Sequence, residues 1–228
     1  NYFLIGSETK KQLKYQFYQK MNCQIVGGLE SIGEKTNFNY LKNNKKKYKF
    51  VCMIIDFHSQ KHWYESALSP LVNWANNLNF YKIVYDLSKL HKDILFIIKG
   101  KNYNWMQIKY FKDIKKKIIK QKNIKIFDKK IKPSNYELAR NCDLMISKYS
   151  SVADDMLMNN KPVIIFDNEK LIPSLVEYEN KIISKNFYDL NQKLTNIKFN
   201  YNDFNKSLNN FRNKFYRKFN LKTYQDKL

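Results

Sequence analysis

Short apolar runs recur along this chain, and longer amphipathic stretches lie between them. The runs are Tyr2–Ile5, Cys23–Val26, Phe50–Ile55, Ile94–Ile98, Ile124–Phe127, Asp143–Ile146, Pro162–Phe166 and Lys181–Ile183. Most are too short to be helices. The intervening segments near Glu8–Lys20, Pro70–Leu90, Trp105–Lys120, Ser134–Asn141, Ser151–Asn159, Leu171–Glu177, Leu190–Ile197 and Asp203–Phe219 place apolar residues three and four apart, which is helical spacing. Strands alternating with helices predict an α/β fold with a doubly wound, mostly parallel sheet.

Gly27–Lys49 breaks the pattern. It opens with Gly27, Gly28 and Gly33, continues rich in Asn and Lys, offers little to a core and reads as a linker. The expected organisation is therefore residues 1–47 as the tail of a preceding α/β domain plus linker, 48–198 as a Rossmann-like domain on six strands, and 199–228 as a basic C-terminal helix. Because the chain opens at Asn1 with a strand-like run already under way, earlier residues are expected to be missing.

A formal net charge of +22 invites a nucleic-acid reading, since cationic surfaces displace counterions from phosphates. The composition argues against it. Only Arg140, Arg212 and Arg217 among the 42 basic residues are arginines, and Asn, Ile and Tyr are inflated together with Lys. That joint enrichment follows AT-rich codon usage and does not build the arginine forks and aromatic platforms of a reading surface. No nucleic-acid partner is expected. A milder attraction to anions remains, including nucleotides and the inner face of a membrane. Cys23, Cys52 and Cys142 are an odd number and lie far apart, which fits a reducing, cytosolic compartment. No run nears the roughly 18 apolar residues of a spanning helix.

The chemistry concentrates between Cys142 and Phe166, which read strand, turn, helix, tight loop, strand. Ser150 or Ser151 is placed to cap the helix, so its hydroxyl and the first-turn amides converge near the carboxyl end of a strand. Helix starts of this kind bind phosphate, and helix starts of this kind also occur merely capped; spacing leaves both readings open. Asp154 and Asp155 follow, favoured there by the helix dipole, and Asp155 is the candidate acceptor for ribose hydroxyls. Asn168 and Glu169 follow the next strand on the same edge.

These residues resemble the donor-binding half of GT-B glycosyltransferases, and most closely the group of CDP-glycerol glycerophosphotransferases and capsular or surface polysaccharide transferases. That group carries a strand ending in Asp-Tyr-Ser-Ser, a short helix with an acidic residue, and Lys-Pro-Val-Ile. Here Ser147-Lys148-Tyr149-Ser150-Ser151-Val152 matches with Lys148 in place of the Asp, Asp155 falls on the acidic position, and Lys161-Pro162-Val163-Ile164 closes the block. Upstream, Pro133 and Ser134 open a segment, running to Leu138, that resembles the loop and helix lining the nucleobase pocket. The resemblance spans Phe50–Ile183 in strand order and is specific over the Tyr-Ser-Ser block.

The resemblance implies a GT-B C-terminal domain preceded by a remnant of a second α/β domain. It implies a transferase moving a sugar or polyol phosphate from a nucleotide-activated donor to a polysaccharide or lipid-linked acceptor, cytoplasmic and peripheral at the membrane. Tyr149, Ser150, Ser151, Lys99 and Lys101 would hold the donor phosphates; Asp155, Pro133 and Ser134 would meet ribose and base. Lys101 stands where the group has the His of Lys-Pro-His-Pro, so it can balance a diphosphate but not shuttle a proton at neutral pH unless its pKa is strongly lowered. His58, in the loop after Phe50–Ile55, is the candidate base. His58 and His62 have helical spacing but no accompanying Glu, and neither a metal nor another cofactor is expected, the activated donor being a substrate. A nucleotide-sugar epimerase of the same fold and a non-catalytic nucleotide- or polymer-binding domain stay open.

Overall fold

A computed structural model of the chain describes residues 2–4, 23–25, 41, 46–55, 59, 73–100, 104–127, 134–148, 150–169 and 179–215. Strands β1 (Tyr2–Leu4) and β2 (Cys23–Ile25) pair in parallel, Tyr2 opposite Cys23. The remaining strands are β3 (Phe50–Ile55), β4 (Ile94–Ile98), β5 (Ile124–Ile126), β6 (Leu144–Ser147), β7 (Val163–Phe166) and β8 (Ile183–Ser184). They form one sheet in the order β5-β4-β3-β6-β7-β8, with every pair parallel.

This arrangement follows from composition along each strand. A parallel sheet covered by helices on both faces has no wet side, so its strands need apolar residues at successive positions. β4 reads Ile-Leu-Phe-Ile-Ile and is buried throughout; β6 and β7 are likewise buried at every position. The sheet is parallel throughout, one step beyond the mostly parallel expectation.

The covering helices are α1 (Trp74–Leu90), α2 (Lys112–Lys120), α3 (Asn135–Asn141), α4 (Ser151–Met158), α5 (Glu179–Ile182), α6 (Phe187–Phe199), α7 (Tyr201–Ser207) and α8 (Asn209–Phe215). Asn73 caps α1 by accepting from the amides of Ala75 and Asn76 at 2.8 and 3.3 Å, and Phe80, Tyr81, Val84 and Leu87 form its buried stripe. The expected continuous helix from Trp105 is divided: two 3-10 turns, Asn104–Gln107 and Lys109–Phe111, precede α2, with extended backbone at Ile108 between them. The division brings Trp105 onto Tyr81, centroids 4.1 Å apart, with Phe111 6.0 Å from the same ring. Trp105 is therefore core, and Trp74 stacks on Tyr110 at 4.4 Å.

Residues at both expected borders pack on the sheet's core. Leu41, inside the presumed linker, is buried in the same core as the sheet. Up to residue 215, the helix expected near Asp203–Phe219 is two helices, α7 and α8; Phe204, Phe211 and the intervening Leu208 join that core. The expected helices near Glu8–Lys20 and Leu171–Glu177 lie outside the described residues.

Candidate functional site

From β3 the chain winds to one edge through β4 and β5, then returns beside β3 as β6 and winds to the other edge through β7 and β8. The order reverses between β3 and β6. Loops leaving the carboxyl ends of two such strands diverge to opposite faces of the sheet, and the crevice between them is where open α/β sheets bind ligands. The turn from Lys148 to Ser150 leaves β6 at this point and runs directly into α4.

Ser150 is the N-cap of α4. Its hydroxyl accepts from the Val152 amide at 3.2 Å and its carbonyl from the Ala153 amide at 2.9 Å, so the capping role is fulfilled within the turn. Ser151 is the first helical residue and is exposed. Its Oγ lies 3.3 Å from the phenol oxygen of Tyr136, on the first turn of α3. The start of α3 thus abuts the start of α4. Ser134 caps α3 in a reciprocal box: Glu137 donates its amide to Ser134 Oγ at 3.2 Å, and the Ser134 amide donates to Glu137 Oε2 at 2.7 Å.

Lys148 takes the position that the resemblance gives to an aspartate, and its side chain is only 3% exposed. Its Nζ lies 3.2 Å from Glu169 Oε1, joining the end of β6 to the loop after β7. Burial pulls the lysine pKa below its ordinary value, against the opposing pull of Glu169 and Asp167. The ammonium is therefore the centre of a small charged group at the carboxyl edge. Ser147, the last residue of β6, is fully buried with no hydrogen-bond partner for its Oγ among the described residues. Lys99, just past β4 on the same edge, is buried, and its amide donates to the Ile54 carbonyl at 3.0 Å.

Asp155, the candidate ribose contact, lies inside the fold. It is the fifth residue of α4, its side chain is wholly buried, and Oδ1 accepts from Arg140 Nη2 at 3.1 Å and from Asn159 Nδ2 at 3.3 Å. The carboxylate braces α3 against α4 from within. Lys161 is likewise turned inward, where its ammonium donates to the carbonyls of Arg140 and Cys142, the orphan acceptors at the end of α3. Tyr149, Lys101, Pro133 and His58 lie outside the described residues. Among the described residues no group of three His, Cys, Asp or Glu side chains is arranged to hold a metal ion, and no helix is long and apolar enough to cross a membrane.

No protein-family model matches the sequence, and comparison with curated proteins finds no match. Solved structures do match. A UDP complex of MnaA from S. aureus superposes with a TM-score of 0.58 at 13% identity, over 95% of this chain and 54% of that one. The fold is that of GT-B proteins. A putative UDP-N-acetylglucosamine 2-epimerase from Listeria monocytogenes matches with a TM-score of 0.58 at 11% identity, over 90% of this chain and 52% of that one. The wall teichoic acid polymerase TagF with CDPG matches with a TM-score of 0.53 at 15% identity, over 93% and 51% respectively. The chain spans about half the length of these structures.

Sequence reasoning located the turn, the cap and the strand that precedes it. It did not find the Lys148–Glu169 and Arg140–Asp155 pairs, which join residues 21 and 15 positions apart and exist only once the helices have docked. Unexplained acids on both sides of one apolar block were the available signal.

Proposed function

We propose that this chain is the donor-binding half of a transferase that moves a sugar or a polyol phosphate from a nucleotide-activated donor to a cell-surface polysaccharide or lipid-linked acceptor. The observation that carries the reading is the turn into α4 at the point where strand order reverses, with Ser151 exposed at the positive end of the helix dipole. Negative charge on the nucleotide's phosphate oxygens grows as the bond to the transferred group breaks. Groups fixed beforehand around those oxygens lower the barrier because they need no reorganisation. Ser151 and the first turn of α4 supply such groups, Tyr136 flanks them, and Lys148 and Lys99 carry the nearby cationic charge. Tyr149 and Lys101 are proposed as further phosphate contacts, Pro133 and Ser134 as base contacts, and His58 as the general base. The donor is consumed as a substrate, and the reading calls on no cofactor.

Supporting this assignment, proteins of the same fold have been solved with UDP, with UDP-GlcNAc and with CDPG. A second reading, a nucleotide-sugar 2-epimerase, draws on the names of several of those proteins. The two differ in product: a transferase releases the nucleotide on meeting an acceptor, whereas an epimerase returns an isomeric nucleotide sugar.

Calorimetric titration of the chain with UDP, CDP and CMP tests the shared part of both readings. Wild type binds at least one of them, and Ser151→Ala weakens that binding about tenfold, as expected for one hydrogen bond to a charged group. Undiminished affinity in the Ser150→Ala, Ser151→Ala double variant rejects the phosphate-site assignment. Circular dichroism accompanies the titration, because losing the Ser150 cap costs about 1 kcal/mol of stability.

A further inference from the structure

The opposite edge of the sheet has a different surface. Here β3, β4 and β5 begin, and α1, α2 and α6 end. Buried Asn123 ties these ends together: its Nδ2 donates to the carbonyls of Ser88, His91 and Ile94 at 3.0, 3.0 and 2.9 Å. The Tyr48 hydroxyl donates to the Lys122 carbonyl at 3.1 Å, and the Lys49 amide to the Asp93 carbonyl at 2.8 Å. Lys198, at the end of α6, reaches Asp93 at 2.8 Å. Residues distant in sequence therefore share one end of the molecule.

That end carries Leu90, Ile119 and Phe199, which are 60%, 59% and 67% exposed. They are three of the five exposed large hydrophobic residues of the described chain. Around them Lys46, Lys47, Lys89, Lys92, Lys120 and Lys122 are exposed. Of the acids at this end, Asp86 pairs with Lys89 at 2.7 Å, Asp93 pairs with Lys198, Asp143 accepts from the Val51 amide at 2.8 Å, and Asp203 on α7 is exposed. Apolar side chains projecting through a ring of lysines are suited to an interface between negative headgroups and acyl chains. A second copy of the same face would oppose lysine to lysine, so self-association there is disfavoured.

We propose that the amino-terminal edge of the sheet, centred on Leu90, Ile119 and Phe199, is a docking surface for an anionic lipid bilayer. The lysines attract the surface, and the three apolar side chains enter the interfacial region. Bound in this way, the chain presents the carboxyl edge, and the turn into α4, away from the bilayer. The inference does not depend on what that turn binds.

Sedimentation with vesicles tests it on the full chain, comparing pure phosphatidylcholine with vesicles about one third phosphatidylglycerol. Binding occurs only to the anionic vesicles. Reversing Lys89, Lys92, Lys120 and Lys122 to Glu lowers partitioning at least about tenfold, given the usual contribution of each lysine near a charged surface. Reversing Lys82, Lys109, Lys112 and Lys185, which are exposed away from that end, lowers it much less. Leu90→Ser, Ile119→Ser and Phe199→Ser together remove the part of the binding that survives raised salt. As an independent readout, Phe199→Trp emission is quenched by brominated lipid. Equal losses from the two lysine sets, indifference to the apolar triple variant, absence of quenching or absence of vesicle binding each overturns the proposal.

Discussion

The two edges of the six-stranded sheet handle charge in opposite ways. At the carboxyl edge, the described charge beside the start of α4 is withdrawn and paired, with Lys148 buried next to Glu169. At the amino edge, lysines are many and stand in water, and the central polar residue is the uncharged Asn123. A buried ion pair is costly to form and costly to break, so it fixes one geometry; an exposed lysine fixes none and contributes through number. A net charge of +22 does not describe this difference, because Lys148 beside the candidate site is matched by Glu169 while most of the amino-edge lysines stand in water.

The largest expected effect comes from Asp155. Asp155→Ala leaves Arg140 buried without its carboxylate, and such a loss costs about 3–5 kcal/mol. Chemical denaturation should record a drop of that size, while the milder Asp155→Asn, which keeps the volume, falls between. A fully stable Asp155→Ala variant that no longer binds nucleotide would instead return Asp155 to the ribose-contacting role. Next is the amino edge: Asn123→Leu removes two amide hydrogens shared among three carbonyls, of which Ser88 keeps Gln121 Nε2 at 3.4 Å and His91 keeps the Ile94 amide at 3.1 Å, so the loss is about 1–2 kcal/mol. For a chain of this size that corresponds to a melting point lower by roughly 2–8 °C. Nucleotide affinity measured well below the transition should not change, since the substitution lies at the far end of the strands. An Asn123 variant that loses affinity while folded would show that the two edges are coupled.

How much of this was legible beforehand depends on how local the cause was. The strands were, because a parallel sheet buried on both faces writes itself as uninterrupted apolar runs such as Ile94–Ile98. The cap of α4 was, to within the pair Ser150 and Ser151, because an N-cap is a relation between neighbours. Leu41 was not: a single apolar residue amid Lys and Asn carries no period, and only the fold brings it to the core. The interruption at Ile108 was equally hidden, since both halves keep helical spacing and the reason for the break is the Tyr81 ring on another helix. The partner of Asp155 was hidden for the same reason. The acid's place near a helix start was visible, but the arginine that claims it comes from the preceding helix.

Lys148 offers the finest distinction, with a smaller effect on binding. As a direct phosphate contact it would lose about tenfold in nucleotide affinity on substitution by Met, whatever occupies residue 169. As a counter-charge it acts by neutralising Glu169, and then Lys148→Met weakens binding only while that carboxylate remains. The double variant Lys148→Met, Glu169→Gln separates these roles, and we expect it to recover most of the affinity because burial already commits the ammonium to Glu169. The pH dependence supplies a check. Since burial lowers the Lys148 pKa, the ammonium is lost as pH rises through a value below the ordinary 10.5, and the bare charges of Glu169 and Asp167 then repel phosphate. Affinity should decline with rising pH in wild type earlier than in Lys148→Arg. Folding moves the other way: between the folded and unfolded pKa values the unfolded chain holds the extra proton, so stability gains as pH rises there. A decline in binding that coincides with a gain in stability would place both effects on the same lysine, and a decline unaltered by Lys148→Arg would remove it from the site.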